Sequence, residues 1–239
     1  EATAEVVAQL HQEDLKIQDD FGCRGLTYWF DDKRKTAFCL IEAPNKEALE
    51  QMHDHAHGEV PNLIIEVSAE IVESFLGRIE DPEKSQNTNL NIINDPAFRV
   101  IMVSGIKQLS WKNMKSDEFR ELTANHNNAM ISAVKKFKGS IVKKKADYFL
   151  ISFDSVTNAV LCALEVQKKF KETSDFEYGK DLKLKVGLSA GVPVTEKEGI
   201  FEDTIKTAER LCDVVQGQFI VSSEVKDLYE SENLNVSID

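Results

Sequence analysis

Residues 51–60 read QMHDHAHGEV, and three of the five histidines in the chain fall within five positions of that stretch. Imidazole nitrogen binds first-row metals and carries protons near neutral pH, so the spacing decides which chemistry is open. On a helix His53 and His57 stand at i and i+4, where two imidazoles on one face can reach a single ion. His55 falls on the opposite side. Upstream, His11, Asp14 and Gln18 stand at i, i+3 and i+7 and keep one helical stripe. Cys39 adds a thiol within an apolar run, where a cysteine is ordinarily a small core residue. The candidate metal ligands are therefore His11, Asp14, Cys39, His53 and His57. From spacing alone the bland alternative stays open, a solvated histidine pair that binds nothing.

The elements that must position these residues follow from pattern. Residues 1–22 form a helix whose stripe is Ala4, Val7, Leu10 and Ile17, closed by Gly22. Strands RGLTYWF (24–30) and KTAFCLIEA (35–43) are joined by the turn DDKR, and Asn45 caps a second helix that stops at Gly58. LIIEV (63–67) reads as a further strand. The order α-β-β-α-β matches a ferredoxin-like βαββαβ unit that lacks its first strand. A short helix, AEIVESFLGRI, precedes DPEKSQNTNLNIINDP (81–96), which reads as a linker. Beyond it, FRVIMVSGI is a buried strand and residues 116–137 a long amphipathic helix. A hairpin about Lys144–Asp147, a helix from Ser155, the strand LKLKVGLSAG, a helix from Phe201, the strand GQFIVS and a closing helix follow. The fold class is α+β, two tandem βαββαβ-type domains spanning 1–80 and 97–239, the second with an appended αβ.

Composition narrows the partners. Net charge is −12, so a nucleic acid or anionic membrane partner is disfavoured. No apolar stretch approaches the ~20 residues that span a bilayer. Four widely spaced cysteines without a CxxC pair read as reduced and cytoplasmic.

Residues 3–67 resemble a family of small ferredoxin-like nickel-binding proteins. The pattern H-x-x-D-x-x-x-Q, Y-W-x-D, F-C-L-x-E-A-P and H-x-x-A-H-G appears here as His11/Asp14/Gln18, Tyr28/Trp29/Asp31, Phe38/Cys39/Leu40/Glu42/Ala43/Pro44 and His53/Ala56/His57/Gly58. The resemblance implies a divalent transition metal, nickel by name, held by imidazole with thiolate as a further ligand, and a homodimer. Imidazole suits nickel, copper and zinc alike, so ligand type does not choose between them. The family's first strand, with polar residues near the site, is not in this sequence.

Residues 98–230 resemble a class III nucleotidyl cyclase domain, on IVKKKADYFLISFDSVTNAVLCALEVQ, LKLKVGLSAGVPV and FEDTIKTAERLCDVVQGQFIVSSEV. Active members hold two divalent ions on two aspartates and support the transition state with an asparagine and an arginine. Here the first aspartate position falls on Ser104. Asp147 keeps the second, but the glycines beside it are Ala146 and Tyr148. The base-contacting lysine matches Lys143, the asparagine is Lys206, and Arg210 keeps the arginine. A serine hydroxyl does not replace a carboxylate at a Mg²⁺ pair. Asp147, Arg210 and Lys143 are expected to be remnants, with no catalytic residues. The reading is a cytoplasmic metal-binding protein with a degenerate cyclase domain for regulation or dimerisation and an unidentified downstream protein partner. The alternative is a nucleotidyl cyclase using Mg²⁺ or Mn²⁺ and ATP or GTP.

Overall fold

The structure is a computed structural model, and it describes residues 2–86, 90–108, 116–174, 182–195, 199–215 and 217–233. The chain divides into two compact units. One comprises residues 1–73, 77–98 and 193–200, the other 74–76, 99–192 and 201–239.

In the first unit, helix α1 (Ala4–Ile17) starts where the Thr3 hydroxyl accepts the Val6 N–H. A 3₁₀ turn over Gln18–Phe21 extends it, closed by Gly22 at φ 65°. Strands β1 (Arg24–Asp31) and β2 (Thr36–Glu42) form an antiparallel pair. Asp31 anchors their turn, accepting the Lys33 and Arg34 N–H groups and pairing with the Arg34 guanidinium at 2.8 Å. Helix α2 (Lys46–Ala56) begins under Asn45, whose Oδ1 accepts the Ala48 N–H at 2.8 Å. It ends where the His57 and Gly58 amides both donate to the His53 carbonyl. Val7, Ala8, Tyr28, Phe30 and Ile93 form a buried cluster between α1, β1 and the later segment.

One expectation is not met. LIIEV (63–67) makes no strand, and Leu63 is 47% exposed. An apolar run of five residues becomes a strand only beside a ladder partner, and none is present among the described residues. The stretch expected to be a linker carries, in its described residues, the short helix α4 (Glu83–Gln86). Tyr28 Oη donates to the Asn91 carbonyl at 2.5 Å and accepts the Ile93 N–H, while Phe30 N–H donates to the Asp95 carbonyl. Before them, α3 covers Ala69–Leu76.

The second unit has a five-stranded sheet in the order β4-β5-β3-β6-β7. Its strands are β3 (Arg99–Gln108), β4 (Ser140–Lys145), β5 (Tyr148–Phe153), β6 (Leu182–Gly191) and β7 (Phe219–Val221). Helix α5 (Ser116–Lys136) precedes β4, α6 (Val156–Ser174) joins β5 to β6, and α7 (Glu202–Val214) leads to β7 and α8 (Ser223–Glu232). The first four strands in spatial order 2-3-1-4, all antiparallel, are the expected βαββαβ core, and β7 adds in parallel to β6. Val100 to Ser104 on β3 are all at most 2% exposed. Burial on both faces explains their unbroken apolar run. Gly187 on β6 lets α7 close in, since a Cβ there would lie 2.2 Å from the Ala208 carbonyl oxygen.

Candidate metal centre

The buried face of α1 carries Val7, Ala8, His11 and Asp14. Two polar residues thus occupy positions that amphipathic patterning reserves for apolar ones. Helix α2 presents His53 from its own buried side, and His57 follows at its C-terminal end. The three groups Asp14, His53 and His57 converge, with one donor atom from each lying within 4.8 Å of the others. Asp14 Oδ1 is 3.4 Å from His53 Nδ1 and 3.2 Å from His57 Nε2, and the two nitrogens are 3.1 Å apart. It is the only such group of three among the described residues.

The donor set fits a divalent transition ion. Two ligand atoms each about 2.1 Å from one ion, at roughly right angles, lie about 3 Å apart, close to the spacings observed. The electrostatics agree. Burial pushes the Asp14 carboxyl up to about 6, against the pull of His57 and His11. Burial, with His57 and His11, pushes His53 down to about 4. A buried carboxylate facing an uncharged imidazole is a costly apo arrangement, and a cation between them favours the ionised acid. The Glu59 N–H donates to His57 Nδ1 at 3.0 Å. That bond places the ring proton of a neutral His57 on Nε2, facing Asp14, so an ion held at Nε2 would require that proton to move to Nδ1 and the Glu59 bond to be given up.

The remaining sequence candidates lie outside this group. His11 is 3% exposed, with its ring 5.1 Å from Tyr28 and its Nε2 3.4 Å from Asp81 Oδ2. It is near enough to act electrostatically on both Asp14 and His53. Cys39 lies opposite Tyr28 in the β1–β2 register and is exposed. His55 is exposed too, with Nδ1 3.0 Å from the Gln51 carbonyl. Gln18 holds the chain, its Oε1 accepting the Gly25 N–H at 2.6 Å. Asp81 escaped the sequence reading, because a lone acid before Pro82 in a polar stretch carries no periodic signal. Burial works against its charge, yet bonds from His11, Thr27 and Asn91 hold its carboxyl below the usual range.

In the second unit, Asp147 follows Ala146 in the β4–β5 turn and its Oδ2 accepts the Ile106 N–H at 2.8 Å. Across from it stands Gly105, where a Cβ would be 3.7 Å from that oxygen. Ser104 is fully buried and pairs with Phe149 and Val186. Gly105, beside the Asp147 carboxylate, carries no side chain. Tyr148 Oη donates to Glu209 Oε1 at 3.0 Å, tying β5 to α7. Lys143 and Arg210 are exposed. Lys206 pairs with Glu202 one turn earlier on α7.

Residues 1–67 match the family described as nickel responsive protein SCO4226-like. The converging Asp14, His53 and His57 all lie inside that region. No curated protein matches the chain. Among solved structures, it is similar to an adenylate/guanylate cyclase/hydrolase from Silicibacter pomeroyi at 24% identity, covering 59% of this chain and 84% of that one with TM-score 0.48. The adenylyl cyclase CyaB from P. aeruginosa gives 17% identity over 56% and 81%, TM-score 0.47. The guanylyl cyclase Cya2 gives 17% over 55% and 78%, TM-score 0.46. No activity is carried over from these likenesses. Among the described residues no helix is long and apolar enough to cross a membrane.

Proposed function

We propose that the first unit binds a divalent transition metal, nickel by family, through Asp14, His53 and His57, with His11 and Cys39 as the further candidate ligands. The observation that carries this is the buried convergence of one carboxylate and two imidazoles from α1 and the end of α2. Copper and zinc suit the same donors. The second unit, in this reading, makes no cyclic nucleotide and acts as a regulatory or dimerisation module of a cytoplasmic homodimer. Support comes from Gly105, which brings no side chain to the Asp147 carboxylate, and from the four cysteines, all free. Elemental analysis of the protein as isolated, beside His53→Ala/His57→Ala, tests the metal assignment. Equal and weak nickel, copper and zinc content in both proteins would sink it.

A further inference from the structure

Helix α2 closes on the His53 carbonyl, which accepts the His57 N–H at 3.1 Å and the Gly58 N–H at 3.0 Å. Gly58 then turns the chain at φ 80°, a conformation that favours glycine. The next amide folds back, and the Glu59 N–H donates to His57 Nδ1 at 3.0 Å. Among the described residues this is the one hydrogen bond that residues 59–67 make. The segment pairs with no strand, and Val60 and Leu63 are each 47% exposed. A stretch with so few contacts opens locally at small free-energy cost. Its single tie ends on a ring of the converging donor group. The other nitrogen of that ring, His57 Nε2, lies 3.2 Å from Asp14 Oδ1 and 3.1 Å from His53 Nδ1. An amide N–H only donates, so in this state Nδ1 offers the lone pair and a neutral ring carries its proton on Nε2. An ion taken at Nε2 needs the lone pair there instead. The ring proton then sits on Nδ1, donor faces donor at the Glu59 amide, and that bond cannot persist.

We propose that the bond from the Glu59 N–H to His57 Nδ1 is a latch that opens when a divalent transition ion is held at His57 Nε2, so that loading the metal centre releases the segment from Glu59 to Leu63 about Gly58. This rests on the metal reading above, and the test separates the two. Zinc is the probe, because it suits the same donors and is diamagnetic. Amide hydrogen exchange in the full chain should show Glu59 protected without metal and unprotected with zinc bound. The Gly58 amide, bonded to the His53 carbonyl, should stay protected in both states. Glu59→Pro removes the donor and with it the competition for the ring, so zinc binding should tighten roughly 2–10-fold, the worth of one hydrogen bond. Glu59→Ala keeps the N–H and should bind zinc as the wild type does. A Glu59 amide unprotected without metal, or equally protected in both states, would overturn the latch. So would a Glu59→Pro protein that binds zinc no tighter than Glu59→Ala. The exchange result needs the wild type alone, and it decides the matter if Glu59→Pro does not fold. A wild type that takes up neither zinc nor nickel, its Glu59 amide still protected, would overturn the metal reading and the trigger of the latch with it.

Discussion

His53 and His57 differ from His55 by a rotation about one helix axis, and that rotation separates buried donors from an exposed ring. Their i, i+4 spacing was legible in the sequence because a helix repeats every 3.6 residues. The same rule put His11 and Asp14 on one stripe. What spacing did not show is that Asp14, rather than His11, closes the group with both imidazoles, since that depends on how two helices approach across a hairpin. Asp81 was not legible at all, because a contact between positions 11 and 81 has no local trace. In the second unit His126 is 5% exposed and rests edge-on against Phe170. Burial pushes it down to about 4, with Asp147 opposing. A histidine lowered from 6.5 stabilises the fold fully above that value and loses its contribution as pH falls toward 4. His126→Leu should therefore flatten urea-measured stability between pH 6.5 and 4, removing a dependence on the order of 3 kcal/mol. An unchanged slope would contradict the assignment.

At the scale of elements, caps and turns were the most readable features. Asn45 caps α2 and Gly22 ends the 3₁₀ turn, as their types indicate. The β3 run was legible as a buried strand, but LIIEV, equally apolar, found no ladder partner and stayed irregular. Composition marked residues 81–96 as a linker, although Asn91 and Asp95 are spent on backbone contacts to Tyr28 and Phe30. Polar content alone does not distinguish a solvated chain from one that satisfies a sheet edge. The sharpest element-level expectation concerns β6 and α7. Gly187→Ala drives a methyl into the Ala208 carbonyl and the Cys212 N–H, at 2.2 and 2.5 Å. Thermal unfolding of the second unit should show a loss of about 3 kcal/mol, and a neutral effect would mean that α7 sits farther from the sheet.

For the whole molecule, the α+β class and the second unit's βαββαβ order followed from the alternation of strands and helices, and the strand order bears this out. With Ser104 buried and Gly105 beside Asp147, the protein is expected to form no cyclic nucleotide from ATP or GTP with Mn²⁺. Wild type and Asp147→Ala should be indistinguishable in that assay, and product lost in the variant would restore the cyclase reading. The central claim is the metal centre. Nickel titration by calorimetry of wild type and His53→Ala/His57→Ala tests it most directly. The wild type is expected to bind one high-affinity ion per chain, weakened by at least about 100-fold in the variant; equal binding by the two proteins would contradict the metal assignment.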